Sequence, residues 1–151
     1  MDTQLQIRKC TSEDLAEVYE IEKASFDHPY DPSVFEAYLA RSKFTKFDGF
    51  LVAYAGRRVA GYIIFEYGEE GLIVSMAVEP GSRRRGVATA MLKEALDRLE
   101  KKCRSVRLQV AVRNEGAQDL YRAFGFKTIG RLSCYYPNGE DAYTMVKSFR
   151  V

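Results

Sequence analysis

Val78-Glu79-Pro80-Gly81-Ser82-Arg83-Arg84-Arg85-Gly86-Val87-Ala88-Thr89 is the stretch on which the reading of this chain turns. An apolar, strand-like run, Leu72–Val78, leads into it and is stopped by Pro80-Gly81. Beyond it, Val87, Met91, Ala95 and Leu99 recur every four residues, with Ala88 and Leu92 beside them, which predicts an amphipathic helix. Glu94 with Arg98 and Asp97 with Lys101 fit i,i+4 pairs on its polar face. The stretch is therefore a strand, a Gly- and Arg-rich turn, and a helix start. Amide groups at a helix start lack intrahelical partners and carry the positive end of the dipole, so they favour a phosphate. Gly86 and the small Ala88 let a ligand approach that backbone, and the arginines add charge around it. Gly81 and Gly86 have the spacing of a P-loop, yet Val87 and Ala88 stand where Lys and Ser/Thr would grip phosphate and magnesium. Nucleotide hydrolysis is thus disfavoured, and a solvated basic turn is the plain alternative.

Downstream, Val106, Leu108, Val110 and Val112 alternate as a strand. Asn114 is placed to cap a short helix whose Ala117, Leu120, Tyr121 and Phe124 share one face, and Gly125 suits its end. Two strands, Lys127–Tyr135 and Ala142–Ser148, flank the turn Pro137-Asn138-Gly139. Upstream, Leu5, Ile7 and Lys9 alternate, and Thr11 with Asp14 forms a capping box before a helix. Leu15, Val18 and Tyr19 make that helix's stripe, and Glu22 falls where the next apolar residue belongs. Asp27-His28-Pro29-Tyr30-Asp31-Pro32 reads as a loop, and a second helix is expected over Ser33–Ala40. Phe50–Tyr54 and Val59–Phe65 form a hairpin through Gly56-Arg57-Arg58. The order β-α-α-β-β-β-α-β-α-β-β predicts one α/β domain over residues 1–151, a mixed sheet of about seven strands with about four helices.

Composition narrows the function. At 151 residues, with 46% hydrophobic and 29% charged residues, the chain fits one globular domain. A formal charge of +2 speaks against a protein built around nucleic acid. No apolar run approaches the roughly 18 residues of a membrane span, and Met1-Asp2-Thr3-Gln4 shows no secretory start. Cys10, Cys103 and Cys134 lack any Cys-x-x-Cys pair, which predicts reduced thiols and a cytoplasmic setting. His28 is the only histidine, so His-rich metal sites are excluded, and no metal is called for.

Two separated motifs carry a resemblance. Arg83-Arg84-Arg85-Gly86-Val87-Ala88 resembles the Arg/Gln-x-x-Gly-x-Gly/Ala pyrophosphate motif of the GCN5-related N-acetyltransferase (GNAT) superfamily. Asn114-Glu115-Gly116-Ala117-Gln118-Asp119-Leu120-Tyr121-Arg122-Ala123-Phe124-Gly125-Phe126 is similar to that family's Asn-x-x-Ala-x-x-Leu-Tyr-x-x-x-Gly-Phe segment. Tyr135-Tyr136-Pro137-Asn138-Gly139-Glu140-Asp141-Ala142-Tyr143-Thr144-Met145 resembles the last hairpin of the bacterial ribosomal-protein-alanine and archaeal N-alpha-acetyltransferases.

The resemblance implies a GNAT-like fold, acetyl-CoA as co-substrate and a set of site residues. Met76, Ala77 and Val78 would pair their backbone with pantetheine, and the amides of Arg84, Arg85, Gly86, Val87, Ala88 and Thr89 would hold the pyrophosphate. Asn114 would bond the pantetheine besides capping its helix. Tyr121 would lie beside the thioester sulfur, although its spacing alone also fits a core aromatic. Because an ordinary tyrosine has a pKa about 1.5 units above that of a thiol, Tyr121 is expected to hydrogen-bond the developing thiolate.

The chain departs from the family at the base: Gln109 in Leu108-Gln109-Val110 replaces a glutamate, and Leu72 replaces a tyrosine used in another branch. An amide accepts no proton at neutral pH but positions a water. The substitutes are Glu22 and His28, each with a structural alternative: a carboxylate snorkelling at the stripe edge and an exposed loop histidine. An α-amine is about 14% neutral at pH 7 and a lysine amine about 0.04%, so a weak base suits protein N-termini better than lysines. Tyr30, Tyr135 and Tyr136, with Gln109, are the candidate contacts for the acceptor peptide, against ordinary strand tyrosines. The expectation is therefore an N-alpha-acetyltransferase working by direct amine attack. The alternatives are lysine or small-amine transfer and a noncatalytic acyl-CoA- or partner-binding module.

Overall fold

In the computed structural model, which describes residues 4–149, the first half of the chain runs β1 (Leu5–Lys9), α1 (Leu15–Ser25), α2 (Pro32–Phe44), β2 (Phe50–Ala55) and β3 (Arg58–Glu66). It continues through β4 (Glu70–Val78), α3 (Val87–Glu100), β5 (Ser105–Ala111), α4 (Glu115–Ala123), β6 (Lys127–Leu132) and β7 (Ala142–Ser148). Single 3-10 turns at Ser12–Asp14 and Pro80–Ser82 precede α1 and the arginine turn. Hydrogen bonding orders the seven strands β1-β2-β3-β4-β5-β7-β6. β4 and β5 pair in parallel, while β1 with β2, β2 with β3, β5 with β7 and β6 with β7 are antiparallel, so the sheet is mixed as expected. Contacts divide the chain into two compact units. One runs to Phe65 and resumes over Val74–Leu96; the other takes Glu66–Ile73 and the chain from Asp97 onward.

The first unit is built on α1 and α2 against β2 and β3. Val18, Ile21, Phe35, Phe50, Val52, Tyr62 and Ile64 form its core, each large side chain contributing about 1.5–3 kcal/mol of burial. Phe35 meets Tyr62 edge-on, with ring centroids 5.6 Å apart. Gly61 in β3 is required by close approach: a Cβ there would lie 2.8 Å from Met91 Cε and 2.9 Å from the Ala77 carbonyl oxygen. The Thr11–Asp14 capping box forms, with the Thr11 amide donating to Asp14 at 2.8 Å. The second helix is longer than Ser33–Ala40. Asp31 caps it by accepting from the Ser33 amide at 2.9 Å, Pro32 occupies its first turn, and it runs to Phe44.

In the second unit, β5 and β7 pair from Ser105 opposite Ser148 to Ala111 opposite Ala142, and Val106, Leu108 and Val110 point inward. α4 carries the expected cap, its Asn114 side chain accepting from the Ala117 amide at 3.1 Å. Gly125 closes it in the left-handed region at φ 95°. β6 lies at the end of the sheet, all six of its residues are exposed, and a register shift falls between Thr128 and Gly130. It ends at Leu132, not at Tyr135. Cys134 takes φ 50° and its amide donates to Asp141 Oδ1 at 2.9 Å, so the chain turns there instead of extending.

Candidate active site

The arginine turn belongs to the first unit. Glu79 accepts from the Ser82 hydroxyl and, through its carbonyl, from the Ser82 amide, both at 2.8 Å, fixing the entry to the turn. The Ser82 hydroxyl is the main reason the Glu79 carboxyl titrates below the usual range, with the nearby Arg58 and Arg83 charges adding to it. Arg84 and Gly86 both adopt left-handed backbone, at φ 64° and 79°. For a side-chain-bearing residue that conformation costs about 1 kcal/mol. The first helical bond of α3 runs from the Ala90 amide to the Gly86 carbonyl at 3.0 Å. The amides of Val87, Ala88 and Thr89 therefore have no acceptor within the helix. Together with Val78, Ser82, Arg83 and Arg84, these residues line a depression of about 180 Å³. Arg84 and Arg85 are exposed. Uncommitted amides, a helix dipole and two exposed guanidiniums suit a polyphosphate. On β4, which leads into the turn, Ala77 is buried while Met76 and Val78 are partly exposed.

For Glu22 the structure excludes one of the two alternatives. Glu22 does not snorkel at the edge of α1 but is 1% exposed. Its carboxylate accepts the Tyr62 hydroxyl, the Tyr30 amide at 2.9 Å and the Ser75 hydroxyl at 3.5 Å. Tyr62 and Ser75 are also bonded to each other at 3.0 Å. Burial, reinforced by the Glu22 charge, holds the Tyr62 phenol protonated well beyond the ordinary tyrosine range. A charge-bearing group is tolerated there because donors surround it. Tyr30 is 44% exposed and sits edge-on to Phe35. His28 is exposed in the same loop and, unlike Glu22, is not drawn into a buried cluster.

The second unit carries the other expected residues. Tyr121 is buried, and that burial, with the Tyr136 phenol adding to it, pushes its pKa up to about 12. Gln109 is partly buried, its amide 3.5 Å from the Thr144 hydroxyl. Tyr135 and Tyr136 stand edge-on with centroids 4.9 Å apart, and both lie beyond the end of β6, so they are turn residues and not strand residues. The sequence reading passed over Gln118, which is buried and donates to the Ala111 and Val112 carbonyls at 3.0 and 2.9 Å. It thereby fixes the end of β5 ahead of Asn114. Its only local sign is a polar residue on the buried face of α4.

Comparison with known proteins points to one family. The acetyltransferase (GNAT) family model matches residues 15–126. A Bacillus subtilis protein provisionally named ribosomal-protein-bS18-alanine N-acetyltransferase is 32% identical, with 96% of each chain covered. The N-alpha-acetyltransferase of Sulfurisphaera tokodaii is 30% identical over 93% of this chain and 90% of its own. Among solved structures, Ard1 from Thermoplasma volcanium superposes with a TM-score of 0.87 at 28% identity, covering 95% of this chain and 97% of that one.

Proposed function

The chain belongs to the acetyltransferase (GNAT) family, and from that premise we propose that it transfers the acetyl group of acetyl-CoA to the α-amine of protein N-termini in the cytoplasm. The observation that carries the proposal is the arginine turn, whose uncommitted amides, left-handed Arg84 and Gly86 and exposed guanidiniums suit a polyphosphate. The relatives named for N-terminal acetylation support the acceptor. Three free thiols, Cys10, Cys103 and Cys134, support a reducing location. Among the described residues, no helix is long and apolar enough to cross a membrane.

In this reading the amides from Arg84 to Thr89 bind the pyrophosphate, and the backbone of Met76–Val78 and the Asn114 side chain take the pantetheine arm. The neutral amine attacks the thioester carbonyl, a C–N bond forms, the C–S bond breaks and the nitrogen loses one proton. With its pKa near 12, Tyr121 stays protonated at working pH. Full transfer of its proton to a thiolate of conjugate pKa about 8.5 is uphill by about 5 kcal/mol, so Tyr121 stabilises that thiolate by donating a hydrogen bond. The thiolate takes its proton from solvent. Tyr30, Tyr135, Tyr136 and Gln109 contact the acceptor. Because an α-amine already supplies about 14% neutral nucleophile at pH 7, the reaction proceeds without the family's glutamate, with the solvent-exposed His28 as an auxiliary proton acceptor.

Turnover of acetyl-CoA against short peptides, each with a free and a blocked α-amine, tests this. Activity is expected to vanish on blocking. Activity that survives moves the acceptor to lysine, and tight acetyl-CoA binding without turnover on any peptide identifies a binding module.

A further inference from the structure

We infer that the last turn of α1 ties the acceptor loop, residues 27–31, to the arginine turn, with Arg83, Ser25 and Glu22 as positioning residues. This inference rests on the arginine turn being the acetyl-CoA site. Although Arg83 opens the three-arginine run, its guanidinium is engaged within the protein. Nε donates to the Val78 carbonyl and Nη2 to the Ser25 hydroxyl, both at 3.2 Å. Ser25 in turn donates to the Ile21 carbonyl at 2.7 Å, so one hydroxyl joins the turn to the end of α1. One helical turn earlier, Glu22 accepts the Tyr30 amide at 2.9 Å while anchored to Tyr62 and Ser75. Arginine turn, Arg83, Ser25, α1, Glu22 and Tyr30 thus form a continuous chain of bonds within the first unit.

Anion binding acts on this chain of bonds at its arginine-turn end. The turn holds Arg84 in left-handed backbone beside a second exposed arginine, and like charges there repel until an anion neutralises them. A bound pyrophosphate stabilises the ordered turn more than any relaxed one, and such differential binding is what shifts a conformational equilibrium. Arg83 carries that ordering to α1, and Glu22 carries it to the loop holding Tyr30 and His28. Glu22 is thereby assigned to placing the acceptor and not to taking its proton: its carboxylate is 1% exposed and is held by the Tyr30 amide and the Tyr62 hydroxyl.

Amide hydrogen exchange of residues 26–31 in the intact chain, with and without saturating coenzyme A, tests the inference. Coenzyme A is expected to slow exchange of this segment by about fivefold or more, within the range of measured site-to-site couplings. Ser25→Ala should abolish most of that slowing while binding coenzyme A within about twofold of the parent, and should raise the KM of an acceptor peptide without lowering kcat. Ser25→Thr, which keeps the hydroxyl, should restore both. Equal slowing in Ser25→Ala and the parent, or bound coenzyme A with no slowing in the parent, overturns the inference while leaving the acetyl-CoA site intact. Failure of coenzyme A to bind the parent overturns the reading of the turn and this inference with it.

Discussion

Asp14 and Glu22, one at the entry to α1 and one in its last turns, are both buried carboxylates that accept a tyrosine hydroxyl from forty residues further on: Tyr54 for Asp14, Tyr62 for Glu22. The pairs are chemically the same and differ in what else the carboxylate holds. Asp14 takes the amide and hydroxyl of Thr11, three residues back, so its bonds close the start of its own helix on β2. Glu22 takes the amide of Tyr30 in the loop and the hydroxyl of Ser75 on β4. The first arrangement fixes the fold. The second fixes a loop that the proposed reaction uses, which teaches that a buried carboxylate's role is read from its third partner and not from its burial.

The largest expected effect separates the two by substitution. Asp14→Ala and Glu22→Ala each strand buried donors and should lower the unfolding free energy by about 3 kcal/mol in urea titrations. Only Glu22→Ala should also impair acceptor binding in the folded protein; equal catalytic losses would dissolve the contrast. Glu22→Gln sharpens it. We expect the acceptor KM to rise about tenfold with kcat within about threefold and the pH profile unmoved, whereas loss of a general base would cost kcat about 100-fold or more.

Next comes alkaline stability. Burial raises the Cys10 thiol, beside Asp14, from 9.0 to about 12 and Tyr121 from 10.0 to about 12, and it raises Tyr62 beyond the ordinary tyrosine range. The unfolded chain loses these protons first, so stability is fully present below pH 9 and falls as the pH climbs from 9 toward 12. Urea midpoints across that range should decline accordingly. The smallest effect is at His28. His28→Gln should change kcat/KM by less than about threefold, and a loss of about 100-fold would make it the principal base.

Local chemistry was legible in the sequence. The four-residue repeat of α3, the alternation of β5, the Thr11–Asp14 box and the glycine closing α4 each act over a few residues. α2 outran its expected end because Arg41, Ser42, Lys43 and the exposed Phe44 offer no apolar period to follow. β6 stopped short of Tyr135 because the stop depends on Asp141 across the turn, not on Cys134 itself. At the candidate site, the arginine turn could be read because a strand, a turn and a helix start are consecutive. The fate of Glu22 could not, since its partners Tyr62 and Ser75 lie 40 and 53 residues away. The Ser25–Arg83 bond, 58 residues apart, left no spacing to notice.

The terminal strand β6 bears on how the molecule behaves in a crowded cell. A last strand leaves a row of amides and carbonyls able to template a foreign strand, and here Ile129 and Leu132 stand 66% and 41% exposed along it. The register break between Thr128 and Gly130 interrupts that row, and Lys127 places a positive charge at its start, while the Arg131 charge is paired with Asp141 at 2.8 Å. An approaching strand thus finds an interrupted row instead of a continuous flat one. The strand that exposes Ile129 and Leu132 at the end of the sheet thus also carries the break in register that keeps it from being a regular template.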